Sequence, residues 1–144
     1  MNIYKWLITL LISLSFISCS GEIDTNPKEI KYDREICELC KMIISVRNYA
    51  AQTINPHNGD RFYWDDIGCA ILWFDEKGIE WEDEAITYVK DVNTNEWLNA
   101  KEAYYTHGAI TPMDFGFSAH ETKQDGVENY DYNYVRDRVL GKPL

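Results

Sequence analysis

The chain of 144 residues carries 14 Lys and Arg residues against 24 Asp and Glu residues, which gives a formal net charge of −10. Its length allows one domain or two very small ones, and a hydrophobic fraction of 45% with 14% aromatic residues excludes an intrinsically disordered chain. The acidity excludes the basic surface on which nucleic-acid binding depends.

Residues 1–18 predict an export signal that is not part of the fold. Lys5 is the only charged residue in this stretch, and the apolar run at 7–17 is short for a bilayer-spanning helix. The run ends in Ser18 and Cys19, as in a bacterial lipobox, where the cysteine becomes the lipidated first residue. We therefore expect Cys19 to anchor the protein to a bacterial membrane, facing the periplasm, with plain secretion or an uncleaved anchor as alternatives.

The chain after the predicted signal divides into a polar tether and a domain. Residues 21–30 are polar, contain a proline and lack periodicity, which predicts that 19–35 form a tether. The remainder, 36–144, predicts one domain with two related sub-units, at about 36–92 and 93–144.

The first sub-unit predicts strands around one apolar helix. Short apolar runs at 42–45 and 50–54 predict strands, and an Asn-Gly turn then leads to a third strand at 61–64. Asp65 or Asp66 is a candidate N-cap for a helix that is apolar nearly all round and is therefore expected at the centre of the domain. Gly78 is its expected C-cap, and alternation at 85–92 predicts a further strand.

The second sub-unit repeats this plan more faintly. Strands are predicted at 97–105 and 115–120, on either side of a loop that contains Thr-Pro-Met at 111–113. Tyr132, Val135 and Val139 have helical spacing and predict a C-terminal helix. The fold class expected for the whole chain is α+β.

The cysteines indicate a metal or redox site. Cys37 and Cys40 form a Cys-x-x-Cys pair, a pattern shared by structural zinc, redox disulfides and Cu(I) sites. A closed zinc site needs four ligands, and no second pair is visible in the sequence. Cys69 lies in the apolar helix and is interpreted as a small buried hydrophobic residue. The expected strand after Met42 does not suit a thioredoxin-like motif, in which a helix should follow the cysteines.

The methionines favour copper among these alternatives. Thioether sulfur suits Cu(I) but is a poor zinc ligand. Met42 lies two residues after Cys40, and Met113 lies in a loop outside any apolar stripe, so both are candidate ligands. His107 and His120 are possible nitrogen donors, although exposed histidines without a metal role are the simpler interpretation.

These motifs together resemble the NosL family of copper-binding lipoproteins that accompany nitrous oxide reductase. The resemblance rests on Cys-x-x-Cys-x-Met at 37–42 after a lipoprotein signal, on Phe-Tyr-Trp-Asp-Asp-Ile-Gly-Cys-Ala-Ile-Leu-Trp at 62–73, and on Trp-Leu-Asn-Ala-Lys-Glu-Ala-Tyr-Tyr at 97–105 with Thr-Pro-Met at 111–113. It covers roughly 36–121. The chain departs from the family pattern at Lys41 and Asp114, which stand where the family usually has glycine.

The resemblance implies a fold, a cargo and a site. The fold would be a pair of ββαβ-like units similar to organomercury lyase folds. The cargo would be Cu(I), and the family metal motif falls on Cys37, Cys40, Met42 and Met113. The function expected is a non-enzymatic, membrane-anchored copper chaperone that serves a cuproenzyme or its assembly machinery, nitrous oxide reductase by resemblance. The alternative is a lipid-anchored thiol-disulfide oxidoreductase that uses Cys37 and Cys40.

Overall fold

The computed structural model describes residues 21–142, and the predicted signal and Cys19 lie outside them. This part of the chain is α+β, with two antiparallel sheets and two α-helices, as the sequence predicted. Within the described residues, every helix is too short or too polar to cross a membrane.

The larger sheet has four strands, β1 (Ala51–Ile54), β2 (Arg61–Trp64), β3 (Ile86–Lys90) and β4 (Trp97–Asn99). They lie in the order β2-β1-β3-β4, and each neighbouring pair is antiparallel. β1 pairs on both sides, so that Ala51 lies opposite Trp64 in β2 and Val89 in β3. All four residues of β1 are buried, as expected for a central strand covered on both faces.

Helix α1 (Ile67–Lys77) packs against β1 and β2 and forms the centre of the domain, as predicted. The Asp66 carboxylate accepts a hydrogen bond from the Gly68 N–H and caps the helix N-terminus. The helix ends at Gly78, whose φ of 58° is a left-handed conformation that glycine adopts without steric cost. Both predicted ends of this helix are confirmed.

The smaller sheet consists of two strands, with a helix close by. β5 (Tyr104–His107) pairs with β6 (Phe117–His120), and α2 (Tyr132–Val139) packs against α1 and β5. The two sheets are joined where the backbone N–H of Val92 donates to the carbonyl of Ala119. α1 is thus packed against elements from both halves of the chain.

Two predicted strands differ from the structure. The run at 42–45 is not a strand, because only one isolated bridge forms there, between Ile36 and Ile43. The predicted strand at 97–105 is two strands in different sheets. The Asn99 side chain and carbonyl accept N–H groups of the next residues and make a turn between β4 and β5. β4, assigned by sequence to the second sub-unit, pairs with β3 of the first.

The segment predicted as a tether is bound to the large sheet from Asp24 onward. The buried Gln52 amide bonds both the N–H and the carbonyl of Lys28, at 3.1 and 2.9 Å. The buried Lys90 ammonium lies 3.1 Å from the Glu29 carboxylate and over the Trp97 ring. Ile30 is in the hydrophobic core. Residues 24–30 are therefore part of the fold and are not a free linker.

Candidate metal site

A tight loop presents the two cysteines of the Cys-x-x-Cys pair. The Cys37 N–H donates to the Met42 carbonyl at 2.9 Å, and the Lys41 N–H donates to the Cys37 carbonyl at 3.0 Å. The turn is completed by Lys41 with a φ of 61°. The Glu38 N–H donates to the Tyr63 carbonyl and so ties the loop to β2.

The end of β2 and the first turn of α1 bring two further donors to this loop. Trp64 is fully buried, and its indole N–H donates to the Thr53 hydroxyl at 3.0 Å. This bond fixes the end of β2, so that Asp65 follows at a defined position. Asp65 directly precedes the N-cap residue Asp66, and Cys69 lies in the first turn of α1, where its thiol comes within hydrogen-bond distance of the Asp65 carboxylate.

These four side chains form one potential metal site. The sulfur atoms of Cys37, Cys40 and Cys69 and a carboxylate oxygen of Asp65 all lie within 4.8 Å of one another. Cys69 Sγ lies 3.4 Å from Asp65 Oδ1, and Cys40 Sγ lies 3.7 Å from both oxygens of Asp65. The three cysteines are free thiols. Cys40 is partly exposed, whereas the other three side chains are buried.

The thiols have different proton affinities. Hydrogen bonding from the Cys69 thiol is the largest influence on Cys37 and lowers its pKa to about 6, with further donation from the backbone of Asp65 and from Cys40. Burial raises the pKa of Cys40 to about 11. Cys69 gives up its proton least readily, since its bond to Cys37 and its burial raise its pKa well above the ordinary value. One thiolate stabilised by two thiols is a ready starting point for a soft metal ion.

Asp66, the helix cap, connects this site to the loop that carries Met113. Its carboxylate is 1% exposed, and burial raises its pKa, against the lowering effect of the Thr111 hydroxyl and the backbone N–H groups of Gly68 and Met113. Oδ2 of this buried carboxylate has no hydrogen-bond partner among the described residues. Met113, which is half-buried, therefore lies in a loop beside Asp66, and Asp66 directly follows Asp65.

Met42 is at the surface, with 50% of its side chain exposed, and lies next to the metal-site loop. Lys41 before it and Asp114 after Met113 both have left-handed backbone conformations, with φ of 61° and 59°. These are the two positions at which the chain departs from the NosL family pattern that it resembles, in which glycine is usual. The structure gives a physical reason for that preference, because left-handed φ is costly for other residues.

Neither histidine belongs to the four-residue group. His120 lies at the end of β6, within the predicted strand at 115–120, and is buried, whereas the sequence interpretation expected it to be exposed. Its Nε2 lies 3.0 Å from the Thr106 hydroxyl and its Nδ1 lies 3.5 Å from the Asn93 amide. His107 is exposed in β5, and its ring lies against Phe117.

Cys69 and Asp65 are the site residues that the sequence interpretation missed. Cys69 is buried as predicted, yet it is more than a core residue, because its sulfur joins those of Cys37 and Cys40. The signal available was the place of both residues at the start of the predicted helix, with Asp65 just before the cap residue and Cys69 in the first turn. The expectation that a zinc ion would lack further ligands is weakened, because these two residues complete a four-donor group.

Comparison with solved structures finds similar chains. The chain is similar to the crystal structure of the copper chaperone NosL from Shewanella denitrificans, with a TM-score of 0.49 and 16% sequence identity, over 75% of this chain and 96% of that one. No protein-family model and no curated protein matches the sequence.

Proposed function

We propose that the protein is a non-enzymatic, membrane-anchored Cu(I) chaperone that works outside the cytoplasm. The observation that carries this proposal is the convergence of the Cys37, Cys40 and Cys69 sulfurs within 4.8 Å of one another. Thiolates are the preferred donors of Cu(I), and few-coordinate sulfur ligation suits a metal that must be released again. Copper is the cargo, and the residues hold and release it.

The two methionine loops favour copper over zinc. Met113 lies beside the Asp66 cap of α1, and Met42 follows the Cys-x-x-Cys loop directly. Each flanks a left-handed residue at a position where the NosL-like pattern has glycine, which supports the alignment of both motifs with that family. We therefore propose Cys37, Cys40, Cys69, Met42 and Met113 as the sulfur donors from which the copper ligands are drawn.

The unequal burial of the thiols suits transfer. Cys37 and Cys69 are fully buried, whereas Cys40 is partly exposed. A sulfur ligand of a partner can approach the metal at Cys40 while the buried thiolates still hold it. We propose that Cys40 is the ligand that exchanges during delivery to a cuproenzyme or its assembly machinery, and the resemblance to the NosL family supports nitrous oxide reductase as that recipient.

Metal loading tests this proposal directly. Reduced protein loaded anaerobically with Cu(I), beside a Zn(II) control, is expected to retain about one copper per chain after desalting. Met42→Leu with Met113→Leu keeps volume and hydrophobicity nearly constant. The double variant is expected to weaken Cu(I) binding at least tenfold (about 1.4 kcal/mol) and to leave Zn(II) binding unchanged. Equal Cu(I) competition curves for the wild type and this variant would remove the thioethers from the site.

A structural zinc site is the second candidate, and the Asp65 carboxylate is the observation that favours it. Three cysteines and one carboxylate supply the four N, O or S donors of a closed zinc site. Stoichiometric Zn(II) that a Cu(I) chelator complex does not displace would select this candidate.

The thiol-disulfide oxidoreductase alternative fits the thiols less well. A disulfide exchange enzyme needs an accessible cysteine with a low pKa. Here Cys37, whose pKa is lowered, is fully buried, while the partly exposed Cys40 has a raised pKa. Oxidation of the pair is instead expected to block Cu(I) uptake until the protein is reduced. Equal copper binding by oxidised and reduced protein would show that these cysteines are not required.

Anchoring is a separate part of the proposal. Cys19 at the end of the apolar signal supports lipidation. Cys19→Ser is expected to move the protein from the detergent phase to the aqueous phase and to leave the metal site intact. Unchanged partitioning of this variant would contradict the lipid anchor while leaving the copper site untouched.

A further inference from the structure

Gly68 and Phe115 are in unusually close contact. A Cβ atom at Gly68 would lie 2.2 Å from Cδ2 and 2.4 Å from Cγ of Phe115. Any side chain at this position would therefore push the Phe115 ring away. Gly68 lies in the first turn of α1 and lacks a positive φ, so its backbone conformation does not require glycine. Glycine there costs helix stability, about 1 kcal/mol relative to alanine, and the close approach of the ring accounts for its presence.

The Phe115 ring belongs to a loop with its own internal bonds. The Gly116 N–H donates to the Thr111 hydroxyl at 3.1 Å, and the Asp114 N–H donates to the Thr111 carbonyl at 3.0 Å. Met113 lies within this closed turn, two residues from Phe115. Fixing the ring on α1 therefore restrains the position of Met113 as well.

The place of contact is next to the metal site. Gly68 precedes Cys69, and the buried Asp66 carboxylate, two residues earlier, is under the influence of Thr111 and the Met113 N–H. Met113 is the only sulfur-containing residue in 93–144, whereas the thiols all come from the first half of the chain. A donor from the second half reaches the site only if this loop stays on α1.

We propose that Gly68 and Phe115 form a clamp that holds the Met113 thioether at the copper site. Both are positioning residues, since they act through Met113 and do not bind metal themselves. This inference rests on the proposed function, because it requires Met113 to be a copper ligand.

Phe115→Ala removes the ring without placing new atoms near the thiols. We expect it to weaken Cu(I) binding about tenfold, as loss of one donor would. Combined with Met113→Leu, it is expected to cause no further loss, because the ligand it positions is already gone. Gly68→Ala is expected to act in the same way, and Phe115→Ala decides the question if Gly68→Ala does not fold. The readouts are competition titrations against a Cu(I) chelator and the number of copper-bound sulfurs from X-ray absorption.

Gly78→Ala is the matched control. It changes a glycine at the other end of the same helix, where an added Cβ would meet no atom of the described residues within 4 Å apart from its chain neighbours, and where φ is 58°. We expect this variant to be less stable and to keep wild-type copper affinity. Loss of affinity in this control would overturn the clamp, since affinity would then follow helix stability alone.

The remaining outcomes separate the clamp from the proposed function. Wild-type affinity in Phe115→Ala, when Met113→Leu is weakened, would overturn the clamp and leave the copper site in place. Additive losses in the double variant would also overturn it. If Met113→Leu itself binds copper as the wild type does, the clamp fails while the cysteine site stands. Absence of Cu(I) binding by the wild type would defeat the proposed function first.

Discussion

Cys69 Sγ lies 3.4 Å from Oδ1 of Asp65, four residues earlier in the chain. The Cys69 thiol therefore donates to this carboxylate, and the same thiol lowers the pKa of Cys37. Asp65 is thus either a metal ligand or a group that orients Cys69. Zinc and copper use such a carboxylate differently, because oxygen donors suit Zn(II) and not Cu(I).

Asp65→Asn distinguishes these roles. We expect the variant to bind Zn(II) at least about tenfold more weakly, because an anionic donor is lost, and to bind Cu(I) within about threefold of the wild type. Competition titrations with each metal measure both values. A large loss of Cu(I) affinity with unchanged Zn(II) affinity would contradict a sulfur-only copper site.

Copper affinity should rise with pH. Near neutral pH the Cys37 thiol, with a pKa of about 6, is already ionised, while Cys40, with a pKa of about 11, and Cys69, whose pKa is also raised, hold their protons. A site of three thiolates must therefore displace two protons, and its affinity should increase about 100-fold per pH unit between pH 7 and 9. Below the pKa of Cys37 a third proton competes and the dependence should steepen.

Chelator competition at several pH values checks this dependence. The chelator should have known pKa values, so that the effect of pH on its own copper affinity can be subtracted. Affinity that stays constant from pH 7 to 9 would mean that Cys40 and Cys69 do not bind as thiolates.

Lys41→Gly should stabilise the metal-free protein against unfolding. Lys41 has a φ of 61°, which costs a non-glycine residue about 1–2 kcal/mol, while the greater freedom of glycine in the unfolded chain recovers part of this. The exposed ion pair between Lys41 and Glu38 contributes little. We expect a net gain of about 0.5–1 kcal/mol in the free energy of unfolding.

Chemical denaturation measures this gain, and Lys31→Gly is the control. Lys31 is also an exposed lysine in the same region but has no positive φ. Its replacement should lower stability. Equal effects of the two substitutions would show that the left-handed conformation at 41 carries no strain.

Residues 24–30 should contribute to stability. A chain that begins at Lys31 loses Ile30 from the core and the bonds of Gln52 to Lys28, so its free energy of unfolding should fall by about 3 kcal/mol. A chain that begins at Asp24 keeps these contacts and should match the longer chain. Thermal unfolding of the two chains measures the difference, and equal melting temperatures would support a free tether.

The sequence predicted those parts of the fold that depend on local signals. The cap residues Asp66 and Gly78 defined α1 at both ends, and the Asn-Gly turn defined the hairpin of β1 and β2. Residues 24–30 carry no such signal. Their polar side chains and backbone are satisfied by Gln52, Tyr88 and Lys90, which are distant in sequence.

Only part of the candidate site was predictable from the sequence, for the same reason. Cys37 and Cys40 form a local motif, so their pairing was visible. Cys69 is 29 residues after Cys40 in an apolar helix, where burial alone explains a cysteine. Only the packing of α1 against the 37–42 loop makes it a potential ligand. Tertiary packing decides such contacts, and hydrophobic patterning alone does not reveal them.

X-ray absorption at the copper edge tests the central claim most directly. The sample is wild-type protein with one equivalent of Cu(I), prepared without oxygen, and Cys69→Ser is the comparison. We predict a first shell made only of sulfur, with at least three scatterers, and one fewer in Cys69→Ser. A shell dominated by oxygen or nitrogen, or one that is identical in Cys69→Ser, would contradict a copper site built on the three converging cysteines.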